Sequence, residues 1–209
     1  IEGLQFINAT STATTTFLLE QGIGGGALTI APVSTSGGIV VTANAGAVTI
    51  SAPLVTSTSG GAATQTWSVD GTGASSLNVI GNVNFGAPVR KTGAGTLTLS
   101  GTNTGSGGLT IGAGTVRLGS VDALGTGALG VGALSVFDNS SGAALTLANN
   151  ATNWNGAFIF TGTNDLSFGT GAATLACTPP AGRVSLKTNT AISSATSDST
   201  EAIAPTPHG

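Results

Sequence analysis

Charge is scarce in this sequence. Only 6% of its 209 residues are Asp, Glu, Lys or Arg, five basic against eight acidic, for a net charge of −3. An average chain carries about 25%, so helix-face salt bridges and most acid-base catalysis lack material. Five basic residues without a cluster exclude a nucleic-acid-binding surface, because phosphate neutralisation needs grouped Lys and Arg. There is no Met and no Tyr, and only two Trp. The single cysteine, Cys177, excludes an internal disulfide and a multi-cysteine metal site. No apolar run approaches the 18 or so residues of a spanning helix, and no basic-then-apolar leader opens the chain. Beginning at Ile1 without Met, the chain reads as a processed product or an internal piece of something longer.

Small residues fill the space instead. Gly, Thr, Ala and Ser together occupy 119 of the 209 positions, yet 40% of residues are hydrophobic. Disordered chains combine high net charge with low hydrophobicity, which does not describe this one. Apolar residues alternate with Thr, Ser or small residues in short bursts such as Ala47-Val48-Thr49-Ile50-Ser51, Ser76-Leu77-Asn78-Val79-Ile80 and Thr96-Leu97-Thr98-Leu99-Ser100. Further bursts begin at Ala27, Leu109, Thr115, Ala133, Leu145, Phe158, Leu166 and Val184. Period-two alternation sends the two sets of side chains to opposite faces of a sheet, and β-branched Val, Ile and Thr suit that pleated surface. No helical stripe competes. The chain is all-β.

Runs such as Gly22-Ile23-Gly24-Gly25-Gly26 and Gly105-Ser106-Gly107-Gly108 supply turns between the bursts. Neither run is a phosphate loop, since no Lys-Ser or Lys-Thr and no helix follows. A sandwich core wants large apolar and aromatic residues. Small side chains favour a narrow coil whose turns stack on one another, a β-solenoid. Gly93-Ala94-Gly95-Thr96 returns as Gly112-Ala113-Gly114-Thr115, an offset of 19 residues, and Gly127-Ala128-Leu129 has a looser echo in Gly132-Ala133-Leu134. With roughly 20 residues per turn, the chain would make on the order of ten turns and a rod about 50 Å long.

The stretch Lys91-Thr92-Gly93-Ala94-Gly95-Thr96-Leu97-Thr98-Leu99-Ser100-Gly101-Thr102-Asn103-Thr104, followed by Gly107 to Gly119, resembles the passenger-associated repeat of bacterial autotransporters. The likeness is most specific over 91–120 and extends loosely over 89–176. Gly105-Ser106 stand where that family often has an aromatic. The resemblance implies a right-handed parallel β-helix at a bacterial surface or secreted, carried across the outer membrane by a C-terminal barrel that these residues do not contain. The expected organisation is a β-rich solenoid region over 1–88, the repeat solenoid over 89–176, and a terminal strand, cap or tail over 177–209, with Arg183-Val184-Ser185-Leu186 as the candidate strand.

No residue is assigned a catalytic, cofactor or metal role. Asp122, Asp138 and Asp165 are able to stack with Arg117 as a carbohydrate-cleaving site, but each stands in a turn-like context where Asp ordinarily shapes the backbone. Trp67 and Trp154 either pack in the core or stack on sugars. Cys177 reads as a small buried hydrophobe, with an intermolecular disulfide as the alternative, and His208 has no second His beside it. Asn8, Asn139 and Asn150 fall in glycosylation sequons that chance explains. The expected protein is a non-enzymatic extracellular stalk, adhesin or self-assembling fibre subunit. It would associate with itself through the solenoid ends or terminal strand, or with surface glycans or matrix, and not with nucleic acid. The alternative is a carbohydrate-binding or carbohydrate-cleaving β-helix.

Overall fold

The computed structural model describes residues 1, 3–7, 16–22, 25–32, 37–57, 64–71, 75–148, 150–162, 164–176 and 192–193. Among them there is no helix, and the strands follow one another around a coil. The first turn holds β1 (Leu4–Phe6), β2 (Phe17–Leu19) and β3 (Leu28–Ile30), and the second β4 (Gly38–Val41), β5 (Ala47–Ile50) and β6 (Leu54–Thr56). The third comprises β7 (Gln65–Val69), β8 (Ser76–Val79) and β9 (Val83–Phe85). Two strands define the fourth turn, β10 (Val89–Thr92) and β11 (Thr96–Leu99), and two the fifth, β12 (Leu109–Ile111) and β13 (Thr115–Leu118). Then come β14 (Leu129–Val131), β15 (Ser135–Asn139) and β16 (Leu145–Thr146), followed by β17 (Thr152–Trp154), β18 (Phe158–Phe160) and β19 (Leu166–Ser167). The eighth turn contributes β20 (Ala173–Leu175) and β21 (Ile192–Ser193).

Each strand hydrogen-bonds to its counterpart one turn away. One long sheet runs β1-β4-β7-β10-β12-β14-β17-β20, a second β2-β5-β8-β11-β13-β15-β18, and the third side carries β3-β6-β9 and then β16-β19-β21. Every one of these pairings is parallel, in keeping with a chain that always travels the same way round. This is a parallel β-helix, and because β4, β7 and β10 share a sheet, the second and third turns stack directly on the repeat.

Turn length is uneven, unlike the single value of about 20 residues behind the expected count of ten. Leu4 lies against Ile39 and Ile39 against Trp67, turns of 35 and 28 residues, whereas Val89 lies against Leu109 and Leu109 against Leu129, turns of 20. Among the described residues the first sheet has eight strands. Seven steps at about 4.8 Å give the described stack a length of about 34 Å.

The 19-residue echo is a stacking register. Thr96 pairs with Thr115, Leu97 with Val116 and Leu99 with Leu118. The looser echo is not: Leu129 lies within β14, while Leu134 sits in a turn and is 78% exposed. Leu134 also has a left-handed φ of 63°, which bulky residues rarely adopt, so the strand expected from Ala133 starts at Ser135.

Alternation fills the interior with ladders of like residues. One inward row on the second sheet is Phe17, Val48, Leu77, Leu97, Val116, Phe137 and Phe160. Its outward neighbours include Thr49, Asn78 and Thr98. All seven Phe either belong to the core or pack against it. Near the C-terminal end Phe137, Phe158, Phe168 and Trp154 meet edge to face at centroid separations of 5.3–6.4 Å. We expect Leu97→Ala to cost about 3 kcal/mol, because ladder neighbours on both sides limit collapse of the cavity. On the same strand, Thr98→Ala should stay within about 0.5 kcal/mol. Urea unfolding midpoints separate the two.

Candidate functional site

The most unusual side chain in the interior is a lysine. On β10, Val89 and Lys91 share a parity, and Lys91 takes the inward place between Trp67 of the preceding turn and Ile111 of the next. It is fully buried. Its stem runs through the apolar ladder to the corner between the first two sheets. There Nζ donates to the carbonyls of Thr92 (2.9 Å), Gly93 (2.7 Å) and Ala113 (3.1 Å). Two of those carbonyls belong to its own turn and one to the next, so the ammonium ties consecutive corners together. Gly93 and Gly114 have φ of 75° and 76°, and a Cβ on Gly114 would stand 2.8 Å from Nζ.

Burial lowers the Lys91 ammonium from 10.5 to about 8, and the nearby Asp70 carboxylate opposes the shift. Asp70 itself accepts a hydrogen bond from the Ser68 hydroxyl. At pH 7 the cation remains the major form.

Buried amides form a second set of links. Asn103 accepts from the Val83 N–H and donates to the Ala123 carbonyl, both at 2.7 Å, joining the turns on either side of it. Asn150 donates to the carbonyls of Gly125 and Gly127 at 2.9 and 2.8 Å. Between them lies 120–126, where the fifth turn has a tight bend in place of a third strand. The bend is closed by bonds from Ala123 N to Ser120 O and from Gly125 N to Asp122 O. Asn139 donates to the carbonyls of Ala143 and Asp165. Gln65 donates to those of Ile30 and Ser57.

None of these groups was assigned a role from sequence, and the acidic residues singled out there behave differently. Asp138 lies within β15 rather than in a turn, directly opposite Arg117, and the two form an ion pair of 2.9 Å on the outer face. Asp122 belongs to the 120–126 bend and Asp165 precedes β19, so only Asp138 meets Arg117. Among the described residues no three of His, Cys, Asp and Glu come together as a metal would require. Trp67 is wholly buried and unable to stack on a sugar, while Trp154 is half-buried against Phe158 and Phe168. Asn139 and Asn150 are buried and engaged through their side chains. Asn8, Cys177, His208 and the strand expected at Arg183 lie outside the described residues. The signal for Lys91 was available in its parity with Val89; Asn103 is marked only by its place between short strands.

The sequence model of the passenger-associated-transport-repeat family matches residues 89–118. That stretch begins at β10 and ends with β13, so the repeat covers the fourth turn and the two strands of the fifth, and contains the Lys91 corner. No curated protein and no solved structure matches the chain. A passenger repeat implies a surface or extracellular location.

Removing the Lys91 head leaves three carbonyls without this donor, so Lys91→Met should lose about 2 kcal/mol at pH 7 although it keeps the apolar stem. The wild-type chain should also gain stability as pH rises from about 8 to 10.5, because over that window the unfolded chain holds a proton the folded one has released. Urea midpoints at several pH values check both, with the rise missing from Lys91→Met. Asn103→Ala should cost about 2 kcal/mol by orphaning a buried N–H and a buried carbonyl. Arg117→Ala removes an ion pair whose guanidinium is exposed and whose carboxylate is half-buried, and should cost at most about 1 kcal/mol.

Proposed function

We propose that this chain is a non-enzymatic structural segment of an autotransporter passenger, a stalk that sets distance from a bacterial surface. The observation carrying this reading is that the passenger repeat at 89–118 forms the fourth turn and the strands of the fifth, joined through backbone ladders to the turns on either side of it in the described stack. Such a stack supplies length and stiffness, and each turn adds about 4.8 Å. Outward Thr and Asn on the second sheet give the rod a polar surface with little charge. Core groups outside the apolar set, Lys91, Asn103 and Asn139 among them, spend their hydrogen bonds on backbone carbonyls of the coil. This use of polar groups supports a stabilising role for them.

The test is electron microscopy of the purified chain combined with incubation against a panel of polysaccharides. Short rods or end-to-end strings of them, with no release of reducing sugar ends, fit a structural stalk. Sugar release that disappears in Asp138→Ala would overturn the reading in favour of a carbohydrate-cleaving β-helix.

A further inference from the structure

We infer that Asn155 is a site of spontaneous covalent modification, a side-chain amide that the backbone nitrogen of Gly156 converts to aspartate and isoaspartate. The inference stands whether or not the chain is a stalk. Asn155-Gly156 is the sequence's one Asn-Gly pair. It lies in the corner between β17 and β18, with Asn155 exposed. Attack by the following backbone nitrogen on an asparagine Cγ needs a side chain free to turn, an N–H that holds no acceptor, and no bulk on the attacking residue. This corner meets all of these conditions.

The Asn155 side chain makes a long hydrogen bond, from Nδ2 to the Asn153 carbonyl at 3.5 Å, and is otherwise held by nothing. The Gly156 N–H has no hydrogen-bond partner among the described residues. The bonds that fix the corner lie to either side of it: Asn155 N donates to Val131 O at 2.8 Å, and Leu134 N donates to Ala157 O at 2.9 Å. Gly156 brings no side chain to hinder attack. The stack requires it to be bare, since a Cβ there would stand 2.6 Å from Ala133 Cα. Other asparagines are protected. After Asn44, Asn84, Asn103 and Asn139 the next N–H donates to the carbonyls of Thr42, Thr104, Val83 and Leu118 respectively.

The step balances with water and hydroxide alone. Hydroxide removes the Gly156 amide proton, and the nitrogen adds to Asn155 Cγ. The Cγ–Nδ2 bond breaks, Nδ2 leaves as ammonia with protons from water, and a succinimide ring joins the two residues. Water then opens either carbonyl of the ring. The product is aspartate or, with the chain rerouted through Cβ and Cγ, isoaspartate. In sum an amide and a water become a carboxylate and an ammonium ion. The new charge falls on a chain that carries few. Isoaspartate also lengthens the backbone by a carbon between the bonds to Val131 and Leu134, which tie this corner to the turn before it.

The experiment stores the full chain and its Asn155→Ser variant at pH 7 and pH 9, folded and in urea. Isoelectric focusing and chymotryptic peptide masses follow the reaction, with isoaspartate labelled by isoaspartyl methyltransferase. The folded wild type should accumulate a more acidic form several-fold faster at pH 9 than at pH 7. The change should map to the peptide carrying Asn155, include isoaspartate, and proceed at a rate of the same order as in urea. Asn155→Ser should not form that species. Loss of Asn155 in urea but not in the folded chain, or earlier loss at another described asparagine, overturns the inference. So does an equal rate at both pH values, because the attacking nitrogen must first lose its proton.

Discussion

The parallel backbone ladder from turn to turn is the constraint on which everything else in this protein depends. Each strand satisfies its N–H and C=O groups on strands of adjacent turns, so the pairing register fixes which side chains lie above one another. Leu97 is stacked between Leu77 and Val116 because the backbone holds those positions in line. Corners are freer. The turns therefore range from 35 residues at Leu4 to 20 at Val89 while the strands remain in register.

A ladder with so little charge places a strict demand on any polar group it encloses. Burying an amide or ammonium without partners costs more than a stack of this size tolerates at many positions. The buried polar side chains answer by bonding backbone where the strands stop. Lys91 serves the corner between the first two sheets, Asn103 and Asn150 the bend at 120–126, and Gln65 the ends of β3 and β6. Asn103 contacts turns 20 residues away in both directions, so it also reports the register. The repeat motif thus has two physical parts: alternating residues that make strands, and a few polar residues that hold corners in step.

The first part was legible from sequence. Strict alternation at Thr96-Leu97-Thr98-Leu99 and the 19-residue return of Gly-Ala-Gly-Thr identified strand, face and register, all set by local pattern. The second part was not. Lys91 and Asn103 look like solvated residues until the coil closes around them, because their partners lie a full turn away. Asp138 was misjudged for a related reason: its neighbours Asn139 and Ser140 suggest a turn, but Arg117 stands opposite in the adjacent strand. Short strands such as β14 and β17, with Gly or Asn at the centre, carry too weak an alternation to be seen alone. They exist because neighbouring turns supply their pairing. The expected count of turns assumed one turn length, which the early turns exceed.

Cross-linking across the repeat tests the stacked register most directly. In a Cys177→Ala background, Thr98→Cys and Arg117→Cys occupy directly paired outward positions on adjacent parallel strands, where strand spacing of about 4.8 Å suits a disulfide. Thr98→Cys with Thr115→Cys is two residues out of register. The account predicts rapid oxidation of the first pair and slow oxidation of the second, with the melting temperature of the first pair maintained or raised. Equal rates, or faster oxidation of the second pair, would contradict a coil stacked with Thr96 on Thr115.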